Sequence, residues 1–323
     1  MPDRAAAIKA FLAGTAWADW AQHPLAGDAS ARRYLRLSSG SKTAILMDAP
    51  PENGEDTQPF VQIASLLEAH DFAAPRILAH DPVLGLLLLS DLGTIDYAQW
   101  LRHSPSDETT LYQAAADILL RLERVDPPAY LTRMTPDVGA DMVRIVGTHY
   151  SHAPTDDLCD QLHHALATFA PDPTVLALRD FHAENLIWRA DEIGHHRVGL
   201  LDFQDAFIAP AGYDLASLLR DARRNVSAAG AEEAITYFAA RTQAKGPFRT
   251  SLACLGVLRN LRILGVFARL ATQMGKPAYL DLMPRVWGHI LDDLKDPELA
   301  ELRRAVMDTV PAPTPETLAE LTR

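Results

Sequence analysis

Two stretches of the chain decide its fold: Leu178-Arg179-Asp180-Phe181-His182-Ala183-Glu184-Asn185 and, further on, Leu200-Leu201-Asp202-Phe203-Gln204-Asp205. In the first, an Asp is followed five positions later by an Asn, and in the second an Asp closes an apolar run. Between them, the apolar segments Leu186-Ile187-Trp188 and Val198-Gly199-Leu200-Leu201 flank a polar gap, which predicts two short strands joined by a turn. Such a hairpin would bring the Asn and the second Asp to neighbouring ends of its strands.

This arrangement of carboxylate and amide side chains is typical of sites that transfer a phosphoryl group to a hydroxyl. Asp180 is the candidate catalytic base, or at least the group that orients the acceptor hydroxyl. Asn185 and Asp202 are the candidate Mg²⁺ ligands, because hard cations prefer carboxylate and amide oxygens. Asp205 could hold a second metal, bind substrate or lie in a loop. The alternative for the whole pattern is two surface loops, since Asp and Asn are common in turns.

With these motifs, the chain resembles the aminoglycoside phosphotransferase and choline kinase group, whose members share a protein-kinase-like fold. The resemblance rests on the spacing of Asp180 and Asn185, on Asp202-Phe203-Gln204 and on Tyr213-Asp214-Leu215-Ala216. Within that group the chain is similar in particular to the bacterial anomeric sugar kinases that phosphorylate N-acetylmuramate and N-acetylglucosamine at C1. Three further segments carry this narrower resemblance: Gly27 to Tyr34, Leu46 to Pro51, and Leu264 to Leu270.

The resemblance implies an α+β, bilobal, protein-kinase-like fold. We expect a small, β-rich N-terminal lobe over residues 1–92, which binds nucleotide through a sheet and one helix. Residues 93–323 would form a larger, mainly helical lobe with the catalytic loop, the metal site, the hairpin and the acceptor-binding helices. Hydrophobic periodicity agrees, because it predicts four strands and one α-helix between Tyr34 and Leu89 and mainly helices after Gly93.

The resemblance also implies ATP and Mg²⁺ as cofactors, with the nucleotide between the lobes. Backbone around Ser90 and Leu92 would contact the adenine. A turn containing Ser30, Arg32 and Arg33 would cover the phosphates with backbone amides, a hydroxyl and positive charge.

One position departs from the kinase pattern. Kinases place a Lys at the end of the strand that here ends in Met47 and Asp48. We expect an arginine, Arg33 or Arg36, to take its part. The missing lysine and a phosphate-covering turn with a single glycine leave open a second class of function, a non-catalytic nucleotide-binding pseudokinase.

Arginines on two predicted helices could recognise the acceptor. Arg220 follows the site on one helix, whereas Arg259, Arg262 and Arg269 lie on another at spacings that place them on one face. Such a face could bind the lactyl carboxylate of N-acetylmuramate in bidentate fashion. The alternative is ion pairing between helices. Aminoglycosides, choline and homoserine are alternative acceptors.

Bulk properties limit the possible partners. The 323-residue chain carries a formal net charge of −12, which argues against a nucleic-acid partner. Its longest apolar run, Val83 to Leu89, is too short to span a bilayer, and the N-terminus lacks a signal-peptide pattern. The two cysteines are widely spaced, which favours free thiols in a reducing compartment. We therefore expect a cytoplasmic monomer that acts on a small-molecule acceptor.

Overall fold

The computed structural model describes residues 4–25 and 32–321. Its strands are β1 (Ala21–Pro24), β2 (Arg33–Ser39), β3 (Lys42–Asp48), β4 (Ile77–Asp81), β5 (Leu86–Ser90), β6 (Val175–Ala177), β7 (Leu186–Trp188), β8 (Val198–Leu200) and β9 (Phe207–Ala209). Its α-helices are α1 (Arg4–Ala13), α2 (Gln58–Ala69), α3 (Tyr97–His103), α4 (Glu108–Leu122), α5 (Pro136–Met142), α6 (Arg144–Val146), α7 (Asp156–Phe169), α8 (Tyr213–Leu219), α9 (Ala228–Ala239), α10 (Phe248–Gln273), α11 (Met283–Asp293), α12 (Ala300–Thr309) and α13 (Pro315–Leu321).

The chain divides into two compact units. The first combines Met1–Asp96 with Leu186–Asp205, and the second combines Tyr97–Asn185 with Ala206–Arg323. The first is rich in strands and the second is mainly helical, as the sequence predicts for an α+β chain.

The hairpin of β7 and β8 belongs to the first unit, so its expected place in the helical half was wrong. Backbone hydrogen bonds explain this grouping. The Trp188 N–H donates to the carbonyl of Ile95 at 2.9 Å, and the Leu200 N–H donates to the carbonyl of Ala73 at 2.8 Å. Because both partners are distant in sequence, the hairpin pattern alone does not reveal them.

A five-stranded antiparallel sheet with the order β1-β2-β3-β5-β4 forms the body of the first unit. Side chains alternate across its faces, and Leu37, Leu46 and Leu88 are fully buried on one face against Leu12 of α1. The β2–β3 register places Tyr34 opposite Met47, so these two residues lie on the other face.

The sequence predicts a helix from Pro59 to His70 with Thr57 near its start as a cap. Helix α2 spans Gln58–Ala69, and Thr57 does not cap it through its side chain. The Thr57 hydroxyl instead forms a hydrogen bond with His80 Nε2 at 2.9 Å. The carboxylate of Asp56 accepts the Gln58 N–H at 2.8 Å and thus satisfies one of the unpaired donors at the helix start.

Helix α10 lies at the centre of the second unit and packs against α5, α6, α7, α8 and α11. A close approach to α6 requires the glycine at position 265, because a Cβ there would lie 2.6 Å from the backbone carbon of Ile145. Within the described part of the chain, α10 is the single helix long and apolar enough to cross a membrane, and 78% of its most apolar window is buried inside the fold. That burial is typical of a core helix.

Candidate active site

The loop that carries Asp180 is held by a buried carboxylate of α8. The backbone N–H groups of Leu178 and Arg179 donate to Oδ2 and Oδ1 of Asp214 at 2.6 and 2.9 Å. Arg179 adopts a φ of 75°, a left-handed conformation that a non-glycine residue adopts only when its surroundings impose it. The two hydrogen bonds therefore fix the backbone immediately before Asp180.

Burial dominates the electrostatics of Asp214, which is 5% exposed. It raises the pKa of Asp214 to about 7, against the two backbone N–H donors and Arg259, which lower the pKa. The negative charge of Asp180 adds a smaller upward contribution. A change in the protonation of Asp214 would thus alter the hydrogen bonds that shape the loop.

Asn185 closes the same loop onto Asp180. Its amide nitrogen donates to the backbone carbonyl of Asp180 at 2.8 Å and lies 3.2 Å from His182 Nε2. These contacts direct the amide nitrogen toward the loop, and the role of the amide oxygen as a metal ligand stays a prediction. The Asp180 side chain itself is half-buried.

His182 supports the loop from inside the fold. Its side chain is buried, and its pKa lies well below the ordinary value because of burial, with Arg223 and Arg259 adding to the shift. The ring is therefore neutral near neutral pH, which fits a packing role better than proton transfer. Asp221, which the sequence pattern did not single out, accepts the Ala183 N–H at 3.4 Å.

The second candidate metal ligand, Asp202, follows β8 in the first unit. It has a φ of 57°, again in the left-handed region, and Gln204 Nε2 donates to its Oδ1 at 2.8 Å. The next residue, Phe203, is fully buried and stacks on Phe60 of α2 with ring centroids 4.9 Å apart. Asp205 is exposed, and its choice between a metal, a substrate and a loop role stays a prediction.

The donor atoms fit the predicted cation. Asn185 supplies an amide oxygen and Asp202 a carboxylate, which are the oxygen ligands that Mg²⁺ prefers in proteins. The contacts to Asp180 and Gln204 fix the orientation of both groups. The two residues belong to different compact units, Asn185 at the end of one segment and Asp202 after the hairpin.

The predicted adenine-contacting segment is tightly anchored within the first unit. Arg36 of β2 forms two hydrogen bonds with the Asp91 carboxylate, at 2.7 and 3.2 Å, and a third with the carbonyl of Gly93 at 3.1 Å. Asp91 also accepts the Gly93 N–H at 3.0 Å. The hydroxyl of Ser90 accepts the Arg76 N–H at 2.8 Å. Leu92 packs beside Gly199 of the hairpin.

The predicted phosphate-covering turn is only partly visible, because Ser30 lies outside the described residues. Arg32 donates to Glu55 at 2.7 Å, and Arg33 lies 3.4 Å from the Asp48 carboxylate. Met47 is fully buried in the strand position where kinases carry a lysine. Since Arg32, Arg33 and Arg36 all have carboxylate partners, the residue that replaces the lysine stays a prediction.

The two arginines predicted to bind substrate have different surroundings. Arg220 forms an ion pair with the buried Asp293 of α11, with Nε and Nη2 at 2.9 and 2.5 Å from Oδ1. Burial raises the pKa of Asp293 to about 6, while Arg220 lowers it. This contact fits the alternative of ion pairing between helices. Arg269 is exposed on α10, and a substrate role for either arginine stays a prediction.

Comparisons with known proteins identify the family and the fold of this chain. The model of the family described as "Phosphotransferase enzyme family" matches residues 21–252. An N-acetylmuramate/N-acetylglucosamine kinase of Caulobacter vibrioides is 36% identical over 97% of this chain and 98% of its own length. A choline/ethanolamine kinase family protein from Mesorhizobium loti has a TM-score of 0.66 at 15% identity, covering 94% of this chain and 99% of that one.

A second solved structure shows the same fold. It is an aminoglycoside phosphotransferase from Streptomyces rimosus in complex with ADP and streptomycin, with a TM-score of 0.54 and 21% identity. The likeness covers 81% of this chain and 99% of that one. The expected protein-kinase-like, aminoglycoside phosphotransferase and choline kinase fold is thereby confirmed.

Proposed function

Because this chain belongs to the phosphotransferase enzyme family and is a small-molecule kinase, we propose that it transfers the γ-phosphoryl group of ATP to the anomeric hydroxyl of N-acetylmuramate or N-acetylglucosamine. The observation that carries the proposal is the loop from Leu178 to Asn185, in which Asp214 fixes the backbone before Asp180 and Asn185 closes onto it. The substrate follows from the relative that covers nearly the whole chain. The cytoplasmic location and a role in cell-wall recycling are predictions that go with it.

The chain's residues would divide the work as follows. Asp180 accepts a hydrogen bond from the acceptor hydroxyl and takes up its proton as the oxygen attacks. Asn185 and Asp202 hold Mg²⁺, which when bound neutralises charge on the nucleotide phosphates. Ser90 and Leu92 contact the adenine through their backbone groups.

Arg32, Arg33 and Ser30 would supply donors to the phosphates. Arg32 pairs with Glu55 and Arg33 with Asp48, so both guanidinium groups start from the end of the turn. The sequence left a non-catalytic pseudokinase open, but kinase relatives and the fixed catalytic loop favour the enzyme.

Asp180→Asn tests the catalytic part of the proposal. We expect turnover of Mg²⁺-ATP with N-acetylglucosamine to fall by at least about a hundredfold, since a positioned base contributes about 10²–10⁴. Nucleotide affinity, measured by calorimetry, should stay within about twofold, because Asp180 engages the acceptor. Asp172→Asn, on an exposed residue just before β6, is the matched control and should be fully active. Equal activity of both variants would contradict the role of Asp180.

A panel of acceptors tests the substrate. N-acetylmuramate, N-acetylglucosamine, kanamycin, choline and homoserine would be compared by ADP release. Turnover with an amine-bearing acceptor alone would support kinase activity but contradict an N-acetyl sugar as the substrate.

A further inference from the structure

Three arginines of the second unit, Arg179, Arg259 and Arg262, lie on elements that contact helix α8. Arg259 and Arg262 lie one turn apart on α10, which packs against α8, and Arg179 precedes Asp180 in the loop. In the part of the chain that the structure describes, none of the three forms an ion pair with a carboxylate. Arg259 is 6% exposed, and its Nη1 has no hydrogen-bond partner. A buried guanidinium with an unused donor is costly unless a ligand satisfies it.

Ring contacts place Arg179 beside Tyr213 of α8: its guanidinium carbon lies 5.9 Å from the centroid of the Phe207 ring, and that ring meets the Tyr213 ring edge-on with centroids 4.9 Å apart. The pKa shifts agree with this grouping. Burial raises the pKa of Tyr213, while Arg259, Arg262 and Arg179 each lower it through their charge. Burial and the charge of Arg179 lower the pKa of Arg262, whereas Tyr213 and Asp180 oppose the shift. The region therefore carries an excess of positive charge beside the proposed acceptor oxygen.

Neighbouring arginines show that this lack of partners is specific. Arg220 pairs with Asp293, Arg223 with Glu184 and Arg224 with Glu108. The second unit thus provides carboxylates to the arginines around α8, whereas among its described residues none pairs with Arg259 or Arg262 on α10.

We propose that Arg259 and Arg262, together with Arg179, form a subsite that binds a carboxylate of the acceptor next to the hydroxyl engaged by Asp180. This inference rests on the proposed function. A guanidinium group offers two parallel donors to the two oxygens of a carboxylate, so the geometry suits an acidic sugar. N-acetylmuramate carries such a carboxylate on its lactyl group, and N-acetylglucosamine has none.

The two sugars themselves provide the test, because they share the acceptor hydroxyl and differ in the carboxylate. In Arg262→Met, which keeps the apolar stem of the side chain, we expect KM for N-acetylmuramate to rise at least about tenfold, the effect of one lost charge-assisted hydrogen bond. KM for N-acetylglucosamine and kcat for both sugars should stay within about twofold. Arg249→Met, on an exposed arginine of the same helix, is the matched control and should leave KM and kcat unchanged for both sugars.

Further variants keep the test decisive. Arg262→Lys retains the charge without the two parallel donors and should recover part of the affinity for N-acetylmuramate. Arg259→Lys should also raise KM for N-acetylmuramate while leaving KM for N-acetylglucosamine unchanged. The thermal unfolding temperature of every variant would establish that it is folded.

An equal fall in kcat for both sugars would place the arginines on the transferred phosphoryl group and overturn the inference. Unchanged kinetics with both sugars would also overturn it. If the unmodified enzyme phosphorylates neither sugar, the proposed function fails and the subsite fails with it.

Discussion

The carboxylate of Asp214 accepts the backbone N–H of Arg179 at 2.9 Å and so ties helix α8 to the loop that presents Asp180. Its other oxygen accepts the Leu178 N–H at 2.6 Å. A strained φ of 75° at Arg179 is held by this pair of contacts. Asp214 therefore acts through backbone geometry, and its own ionisation becomes part of the stability of the loop.

Replacement of Asp214 by Asn should change how stability depends on pH. Burial raises the pKa of Asp214 to about 7 in the folded chain, so the folded state binds this proton more tightly than the unfolded state. The resulting stability is present at low pH and is lost as pH rises through the folded pKa. Between about pH 5.5 and about pH 8, the unmodified chain should lose about 2 kcal/mol of unfolding free energy relative to Asp214→Asn.

Urea unfolding at several pH values measures this difference directly. Equal pH slopes for the two chains would contradict a raised pKa at Asp214. If the two backbone N–H donors outweighed burial, stability would instead be lost as pH falls below about 4.

The ion pair between Arg36 and Asp91 should stabilise the predicted adenine-contacting segment. The Asp91 side chain is only 5% exposed, so removal of Arg36 leaves a nearly buried charge. We expect Arg36→Met and Asp91→Asn each to lower the unfolding free energy by about 2–3 kcal/mol, with a coupling of about 1–2 kcal/mol in the double variant. KM for ATP should rise in both single variants.

Chemical denaturation of the unmodified chain, the two single variants and the double variant gives the coupling free energy. Strictly additive losses would show that the ion pair does not contribute. An unchanged KM for ATP would mean that the segment around Asp91 does not take part in nucleotide binding.

Phe203 should couple the stability of the first unit to the position of Asp202. It is fully buried and stacks on Phe60 with ring centroids 4.9 Å apart. Phe203→Ala leaves a cavity and should cost about 3–5 kcal/mol, whereas Phe203→Leu should cost about 1–2 kcal/mol because mainly the stacking is lost. In the leucine variant kcat should fall as Asp202 loses its support.

Ile193→Ala is the control, because this side chain lies in the turn of the same hairpin and is 82% exposed. It should leave both stability and kcat unchanged. If Phe203→Leu matches this control, the stacked pair neither stabilises the unit nor positions Asp202.

The local parts of the fold could be predicted from sequence because their signals are local. The apolar runs of β7 and β8 and the helical period of α4 predicted elements that the structure confirms. The sequence pattern predicts a further helix from Leu215 to Arg224, whereas α8 spans Tyr213–Leu219 and ends five residues earlier. Just beyond it, the Asp221 carboxylate accepts the Arg223 N–H and holds a non-helical turn.

Strand β1 could not be predicted, because its sequence Ala-Gln-His-Pro has neither alternation nor strong strand formers. It forms because the edge of β2 offers backbone partners, with Gln22 opposite Leu37. Tertiary pairing thus overrides the weak local preference.

The site shows the same division between local and distant information. The spacing of Asp180 and Asn185 already predicts their roles, and their hydrogen bond follows from that spacing. The partners of the arginines did not follow from sequence, because Arg36 and Asp91 are 55 positions apart and Arg220 and Asp293 are 73 apart. Ion-pair partners depend on how the helices and strands pack.

The most direct test of the central claim is the structure of the phosphorylated product. The purified chain would be incubated with Mg²⁺-ATP and N-acetylglucosamine, and the product examined by ³¹P and ¹H NMR. Our account predicts a sugar 1-phosphate, recognised by coupling between phosphorus and the anomeric proton. A phosphate on any other hydroxyl, or no transfer to either N-acetyl sugar, would contradict it.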